Sequence, residues 1–290
     1  MKFSGSYVAL VTPFREDGSI HFEKLRELVQ WHIEQGTDGI LALGTTGESS
    51  TMSHEEDDAV ARCVIETVNG RIPVICGAGS NCTQTQLEKS RRYADMGADG
   101  LLLITPYYNK ANDEGMYRHF ATVADAIDTP VILYNVPGRT GCAISPACCA
   151  RLAAHPNIAG MKEASGDIGY TAKIARLVGD DFCLFSGNDD MIVPVMSLGG
   201  CGVISVLANV CPRQTHELVA AFAAGDVARA RAMQLRYLDL VAALFCEVNP
   251  IPVKEAMNQL GMGVGGYRLP LCEISPAGRE RVRRALEVLA

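Results

Sequence analysis

Gly100-Leu101-Leu102-Leu103-Ile104 is apolar at every position. A strand with one wet face alternates apolar and polar residues. An unbroken short run therefore reads as a strand buried on both faces, as in parallel sheets. Similar runs lie at Tyr7–Val11, Gly39–Leu43, Pro73–Cys76, Pro130–Tyr134, Ile158–Lys162, Phe182–Phe185 and Gly202–Ser205. Between them fall stretches of helical period: His21–Glu34, His54–Val68, Thr83–Met96, Glu114–Ile127, Ser145–Ala154, Ile168–Val178 and Asp190–Leu198. Gly or Pro punctuates most junctions. Repeated strand–helix units predict an α/β fold, a (β/α)8 TIM barrel. A doubly wound open sheet is the rival, but it usually announces a G-x-G-x-x-G turn after its first strand. Here that turn reads Val11-Thr12-Pro13-Phe14. From Pro212 the pattern is purely helical: Pro212–Ala224 is expected as the last barrel helix, then Asp226–Phe245, Pro252–Leu260 and Pro276–Leu289 as an appendage. The expected division is a catalytic barrel over 1–224 and a helical segment over 225–290 packed on it.

The totals narrow the function class. Lys plus Arg is 26 and Asp plus Glu is 33 among 290 residues, a net charge of −7. That balance argues against nucleic acid and against an anionic membrane surface as partners. No stretch reaches the roughly 18 apolar residues of a membrane span. Met1–Leu10 has one lysine and no long apolar core, so no secretory leader is expected. The 11 cysteines form no C-x-x-C pairs, which predicts reduced, structural thiols and a cytoplasmic protein. No His/Cys/Asp cluster has metal-ligand spacing, and His21, His32 and His119 are expected on surface faces of helices.

In such barrels the chemistry gathers where strands end. The sixth run ends at Lys162, followed by Glu163-Ala164-Ser165-Gly166. Burial disfavours a lysine's charge, lowers its pKa and frees the amine as a nucleophile toward carbonyls. Snorkelling or an ion pair is the blander alternative. The second run ends in Gly44-Thr45-Thr46-Gly47-Glu48. Its amides and hydroxyls suit an anion, or the threonines cap the next helix. Glu48 reads as a first-turn or structural carboxylate. Thr105-Pro106-Tyr107-Tyr108-Asn109-Lys110 follows the fourth run, with two tyrosines suited to an interface between subunits. The fifth ends in Tyr134-Asn135-Val136-Pro137-Gly138-Arg139-Thr140-Gly141. Tyr134 can relay protons or be a core tyrosine; Arg139 can grip a carboxylate or form a surface ion pair. Ser186-Gly187-Asn188-Asp189 and Ile204-Ser205 end the last two. A desolvated lysine, a phenol, hydroxyl donors and an arginine suit Schiff-base chemistry on a keto acid, with the protonated imine as electron sink and no metal or other cofactor.

The motifs Gly44–Glu48, Tyr134–Gly141 and Lys162–Gly166 resemble those of the dihydrodipicolinate synthase family, in order and spacing, from near residue 3 to near residue 288. The wider superfamily includes N-acetylneuraminate lyase and keto-deoxy sugar acid aldolases. Arg139 in Gly-Arg-Thr-Gly and Asn249-Pro250-Ile251-Pro252-Val253-Lys254 resemble the synthase specifically. The resemblance implies that Lys162 forms an imine with pyruvate. It implies that Thr45, Thr46 and backbone around Gly187 and Ile204 hold the pyruvate end, and that Tyr134 passes protons with Thr46 and with Tyr108 of a neighbouring subunit. Arg139 would bind the carboxylate of aspartate semialdehyde, giving 4-hydroxytetrahydrodipicolinate, which leads into lysine and diaminopimelate synthesis. It further implies a homotetramer, a dimer of dimers, and an allosteric cleft lined by Ser49, His54, Asn81 and Tyr107. Where lysine-inhibited members carry histidine and glutamate, this chain has Asp57 and Thr85, so weak or absent inhibition by lysine is expected. A sugar-acid aldolase is the alternative chemistry, and a catalytically silent barrel the non-enzymatic one.

Overall fold

The computed structural model describes residues 3–289; Met1, Lys2 and Ala290 lie outside them. Eight parallel strands close into a barrel in the order β1-β2-β3-β4-β5-β6-β7-β8. They are β1 Gly5–Ala9, β2 Gly39–Ala42, β3 Val74–Gly77, β4 Gly100–Ile104, β5 Val131–Asn135, β6 Ile158–Glu163, β7 Cys183–Ser186 and β8 Gly202–Ser205. Strand residues are almost all buried, as unbroken apolar runs require. The first strand starts two residues earlier than the apolar run, because the Gly5 amide donates to the Cys201 carbonyl at 2.9 Å.

Two compact units make up the chain, one holding the residues up to Gly5 with Pro73–Ile204, the other Ser6–Ile72 with Ser205 onward. In the first unit lie α3 Thr83–Asp95, α4 Asp113–Ala124, the single turn α5 Pro137–Thr140, α6 Pro146–Ala153, α7 Ile168–Leu177 and α8 Ile192–Ser197. Successive helices pack side by side, α3 on α4, α4 on α6 and α6 on α7. The run expected as one helix over 190–198 is a 3-10 turn, Asp189–Met191, followed by α8. Pro194 sits in the first turn of α8, where a missing N–H costs nothing.

In the second unit α1 Phe22–Glu34 packs on α2 His54–Val68, and α9 Pro212–Ala223 packs on α10 Val227–Arg236. The helix expected over 226–245 is broken at Tyr237 into α10 and α11 Leu238–Leu244. Tyr237 is buried, and the break lets both helices turn their apolar faces inward. α12 Ile251–Gln259 and α13 Pro276–Ala285 follow, α13 ending in a 3-10 turn. Helix α2 opens with a capping box: Ser53 accepts from the Glu56 amide while Glu56 accepts from the Ser53 amide. Arg268 grips both oxygens of Glu56 at 2.6 and 2.7 Å and holds its carboxyl down at about 2. The helix start thus has a bidentate anchor from the C-terminal segment.

Two of the three helical histidines are not on the surface. His32 shares the inward stripe of α1 with Leu25, Leu28 and Val29, and its Nδ1 meets Thr37 Oγ1 at 3.1 Å. Burial pushes it down to about 3, so it stays neutral. His119 is buried on α4 beside Thr83 Oγ1, at 2.8 Å. Only His21 keeps substantial exposure. All eleven cysteines are free thiols, most of them buried, and burial pushes Cys76 and Cys149 up to about 12. Among the described residues no helix is long and apolar enough to cross a membrane.

Candidate active site

Lys162 pairs in register with Tyr134 of β5 on one side and Phe185 of β7 on the other. Register partners in a parallel pair share a face, so the lysine and the tyrosine emerge together. The Lys162 Nζ lies 4.7 Å from the centroid of the Tyr134 ring. Only 6% of the lysine is exposed. Burial pushes its amine down to about 8, Asp189 pulls it partly back, and Arg139 adds to the depression. Half of such amines are neutral at pH 8, against roughly 0.3% for a lysine at its ordinary value. The structure thus decides for a desolvated amine and against a snorkelling one.

Glu163 points to the opposite face of β6 and is buried behind it. It accepts from Asn135 Nδ2 at 2.7 Å and from the Ser165 amide at 2.6 Å. The other end of Asn135 accepts from the Ile144 amide at 3.0 Å, and Tyr170 donates to the Ile144 carbonyl at 2.6 Å. These bonds pin the stretch that follows Arg139 to the strand that carries Lys162. Sequence reading passed over Glu163 and Asn135; the available signal was a charged residue continuing a buried strand. Arg139 is exposed on the single turn α5, which Gly141 ends at φ +72°. Gly187 is tightly seated: its amide donates to the Glu163 carbonyl at 2.7 Å, and a Cβ there would lie 2.6 Å from the Ala164 methyl. Its amide is therefore committed to the strand that carries Lys162. Ile204 is buried in β8.

Tyr108 is 92% exposed with φ +70°, a left-handed backbone that side chains rarely adopt. Neighbouring atoms hold the bend: Asn81 Nδ2 donates to the Tyr107 carbonyl at 3.2 Å, and Asn109 Nδ2 to the Asn81 carbonyl at 2.9 Å. Of the four residues expected around an effector, Asn81 is half-buried and Tyr107 exposed in this unit. Ser49 is half-buried and His54 exposed in the other.

In that other unit Thr45–Gly47 forms a 3-10 turn after β2. Left-handed non-glycine residues bracket it, Leu43 at φ +59° and Glu48 at φ +56°. Thr46 is buried and Thr45 half-buried. Neither caps the next helix, since Ser53 does so. Thr46 Oγ1 accepts from Asn249 Nδ2 at 3.0 Å, and Thr12 Oγ1 donates to the Gly47 carbonyl at 2.6 Å. Glu48 is the structural carboxylate its sequence suggested, but its partner is remote: Lys254 Nζ at 2.8 Å, both side chains wholly buried. Among the described residues no group of three His, Cys, Asp or Glu side chains is placed to hold a metal ion.

The sequence matches the model of the dihydrodipicolinate synthetase family over residues 2–289. It is 52% identical over 272 residues to the 4-hydroxy-tetrahydrodipicolinate synthase of Clostridium perfringens, covering 94% of this chain and 93% of the relative. Its fold is similar to that of the chloride-inhibited dihydrodipicolinate synthase of Acinetobacter baumannii complexed with pyruvate, at a TM-score of 0.96 and 44% identity, covering 98% of each chain. It is also similar to a monomeric dihydrodipicolinate synthase variant, at a TM-score of 0.97 and 39% identity, covering 99% of this chain and 97% of the other.

Proposed function

Because the chain belongs to the dihydrodipicolinate synthetase family, we propose that Lys162 condenses pyruvate with L-aspartate 4-semialdehyde to 4-hydroxy-tetrahydrodipicolinate. The observation that carries this is a buried amine near neutrality in register with a phenol. The neutral Nζ adds to the keto carbon of pyruvate and water leaves, giving the imine. Loss of a methyl proton gives the enamine, whose carbon attacks the aldehyde. The substrate's own amine then attacks the imine carbon, closes the ring and releases Lys162. Tyr134 moves the protons with Thr46 and with Tyr108 of a neighbouring copy, and Thr45 and Thr46 hold the keto acid's carboxylate. The covalent imine takes the place of a cofactor. The exposed, strained Tyr108 supports assembly into a homotetramer, and the reduced thiols support a cytoplasmic setting.

Trapping tests the first step directly. Pyruvate with borohydride is expected to add a reduced adduct to the peptide holding Lys162, and no added mass on that peptide refutes the imine. A sugar-acid aldolase reading is disfavoured by the names of the relatives and by Arg139, which suits a carboxylate better than a polyhydroxy chain.

Arg139→Ala is expected to raise KM for aspartate semialdehyde about 10- to 100-fold, the worth of a charge-assisted bond. The pyruvate adduct should form undiminished. An equal rise in KM for both substrates would place Arg139 elsewhere in the mechanism.

Lysine is expected to inhibit weakly or not at all. Asp57 is buried, and Thr85, half-buried, carries no charge to pair with an effector's ammonium. Half-inhibition at micromolar to low millimolar lysine overturns this.

A further inference from the structure

Asn249-Pro250-Ile251-Pro252-Val253-Lys254 marks this chain in sequence, yet none of the steps above uses it. In the fold both ends of this segment reach the same turn. Asn249 Nδ2 donates to Thr46 Oγ1 at 3.0 Å between two buried side chains. Lys254 Nζ donates to Glu48 Oε1 at 2.8 Å, to the Thr12 carbonyl at 3.2 Å and to the Gly266 carbonyl. All three protons of that ammonium are thereby used. The turn between these anchors runs through two left-handed non-glycine residues, a conformation that persists only where its surroundings impose it.

We propose that Asn249 is a positioning residue that makes the Thr46 hydroxyl a hydrogen-bond donor toward the carboxylate of the keto-acid imine, while Lys254 fixes the turn carrying it. An amide NH2 can only donate, so it occupies a lone pair of Thr46 Oγ1. The single proton of the hydroxyl is then directed away from Asn249, where an anion can take it. A carboxylate needs that polarity, since a hydroxyl presenting its lone pairs repels it. This rests on the Schiff-base reading of Lys162, and it assigns a function to the motif beyond packing.

The test compares Asn249→Asp, Asn249→Ala, Thr46→Val and the double variant Thr46→Val/Asn249→Ala. Borohydride trapping at graded pyruvate gives the half-saturating concentration, and thermal unfolding reports folding. Asn249→Ala is expected to raise half-saturation about 10-fold, the order of one bond to a charged group. Asn249→Asp nearly preserves shape but reverses the bond, because a carboxylate accepts the threonine's proton. It should raise half-saturation about 100-fold at pH 8, the lost bond and like-charge repulsion acting together. Its defect relative to the parent should shrink as pH falls and the carboxyl protonates and donates again. The double variant should be no worse than Thr46→Val alone. Additive losses, or an Asn249→Asp protein with parental half-saturation, overturn the proposal. A pH-independent Asn249→Asp defect that follows only the melting temperature does so too. Failure of the Schiff-base reading looks different: the parent itself then gives no adduct.

Discussion

Lys162→Met is expected to abolish turnover and at the same time to make the protein more stable. Without the nucleophile kcat should fall roughly 10⁴-fold or more, since removal of a covalent catalyst typically costs several orders of magnitude. The stability gain follows from the same burial that activates the amine. Its folded-state pKa is about 8, against 10.5 for the ordinary side chain. Below pH 8 the native state must hold a desolvated ammonium, whereas the unfolded chain hydrates it freely. The unfolded state binds more protons between those values, so the parent gains stability as pH rises from about 8 toward 10.5. Methionine removes the penalty and keeps most of the volume. A gain of about 1–3 kcal/mol is expected below pH 8, shrinking above it. Denaturant unfolding at pH 7 and pH 10 checks this, and a variant less stable than its parent at pH 7 contradicts it. The parent's rate of pyruvate trapping should rise through pH 8 as the amine deprotonates; a flat profile would separate the trapped lysine from this titration.

Lys254→Met should have the opposite effect. Lys254 is 0% exposed, and burial pushes its amine down as well, with Glu48 opposing the shift. Here the ammonium is matched by a carboxylate at 2.8 Å and by two carbonyls. Deleting one partner of a buried pair strands the other, at a cost of about 3–5 kcal/mol. The melting temperature should drop by many degrees, and turnover should fall with it because the Thr46 turn loses its anchor. Lys254→Met/Glu48→Gln should recover part of the lost stability, since no uncompensated charge remains. A single variant as stable as the parent would mean that Glu48 finds another partner or takes up a proton.

The contrast between these two lysines shows where sequence reading runs out. Each follows an apolar residue and precedes a glutamate, and no local feature of Met161-Lys162-Glu163 or Val253-Lys254-Glu255 says what its amine will face. What separates them is the company the fold supplies. Lys162 lies beside the face of a tyrosine one strand away, whereas Lys254 lies against a carboxylate 206 positions earlier in the chain. His32 makes the same point: its i, i+3 and i+4 neighbours placed it on the inward stripe of α1, but a titratable ring suggested solvent. The helix break at Tyr237 carries no Gly or Pro to mark it, and packing imposes it against helix propensity.

By itself the sequence determined the strand–helix alternation and the residues at each strand's end. Those depend on periodicity and on punctuation by Gly and Pro, which act over a few residues. The matching depth of Tyr134 and Lys162 could also be foreseen, because parallel neighbours ending on similar motifs leave little freedom of register. Only the tertiary structure decided which buried lysine meets a tyrosine ring and which a carboxylate, what Glu48 pairs with, and that Thr46 Oγ1 accepts from Asn249. A pKa and a hydrogen bond's polarity are set by atoms within a few ångströms, and here those atoms come from distant parts of the chain.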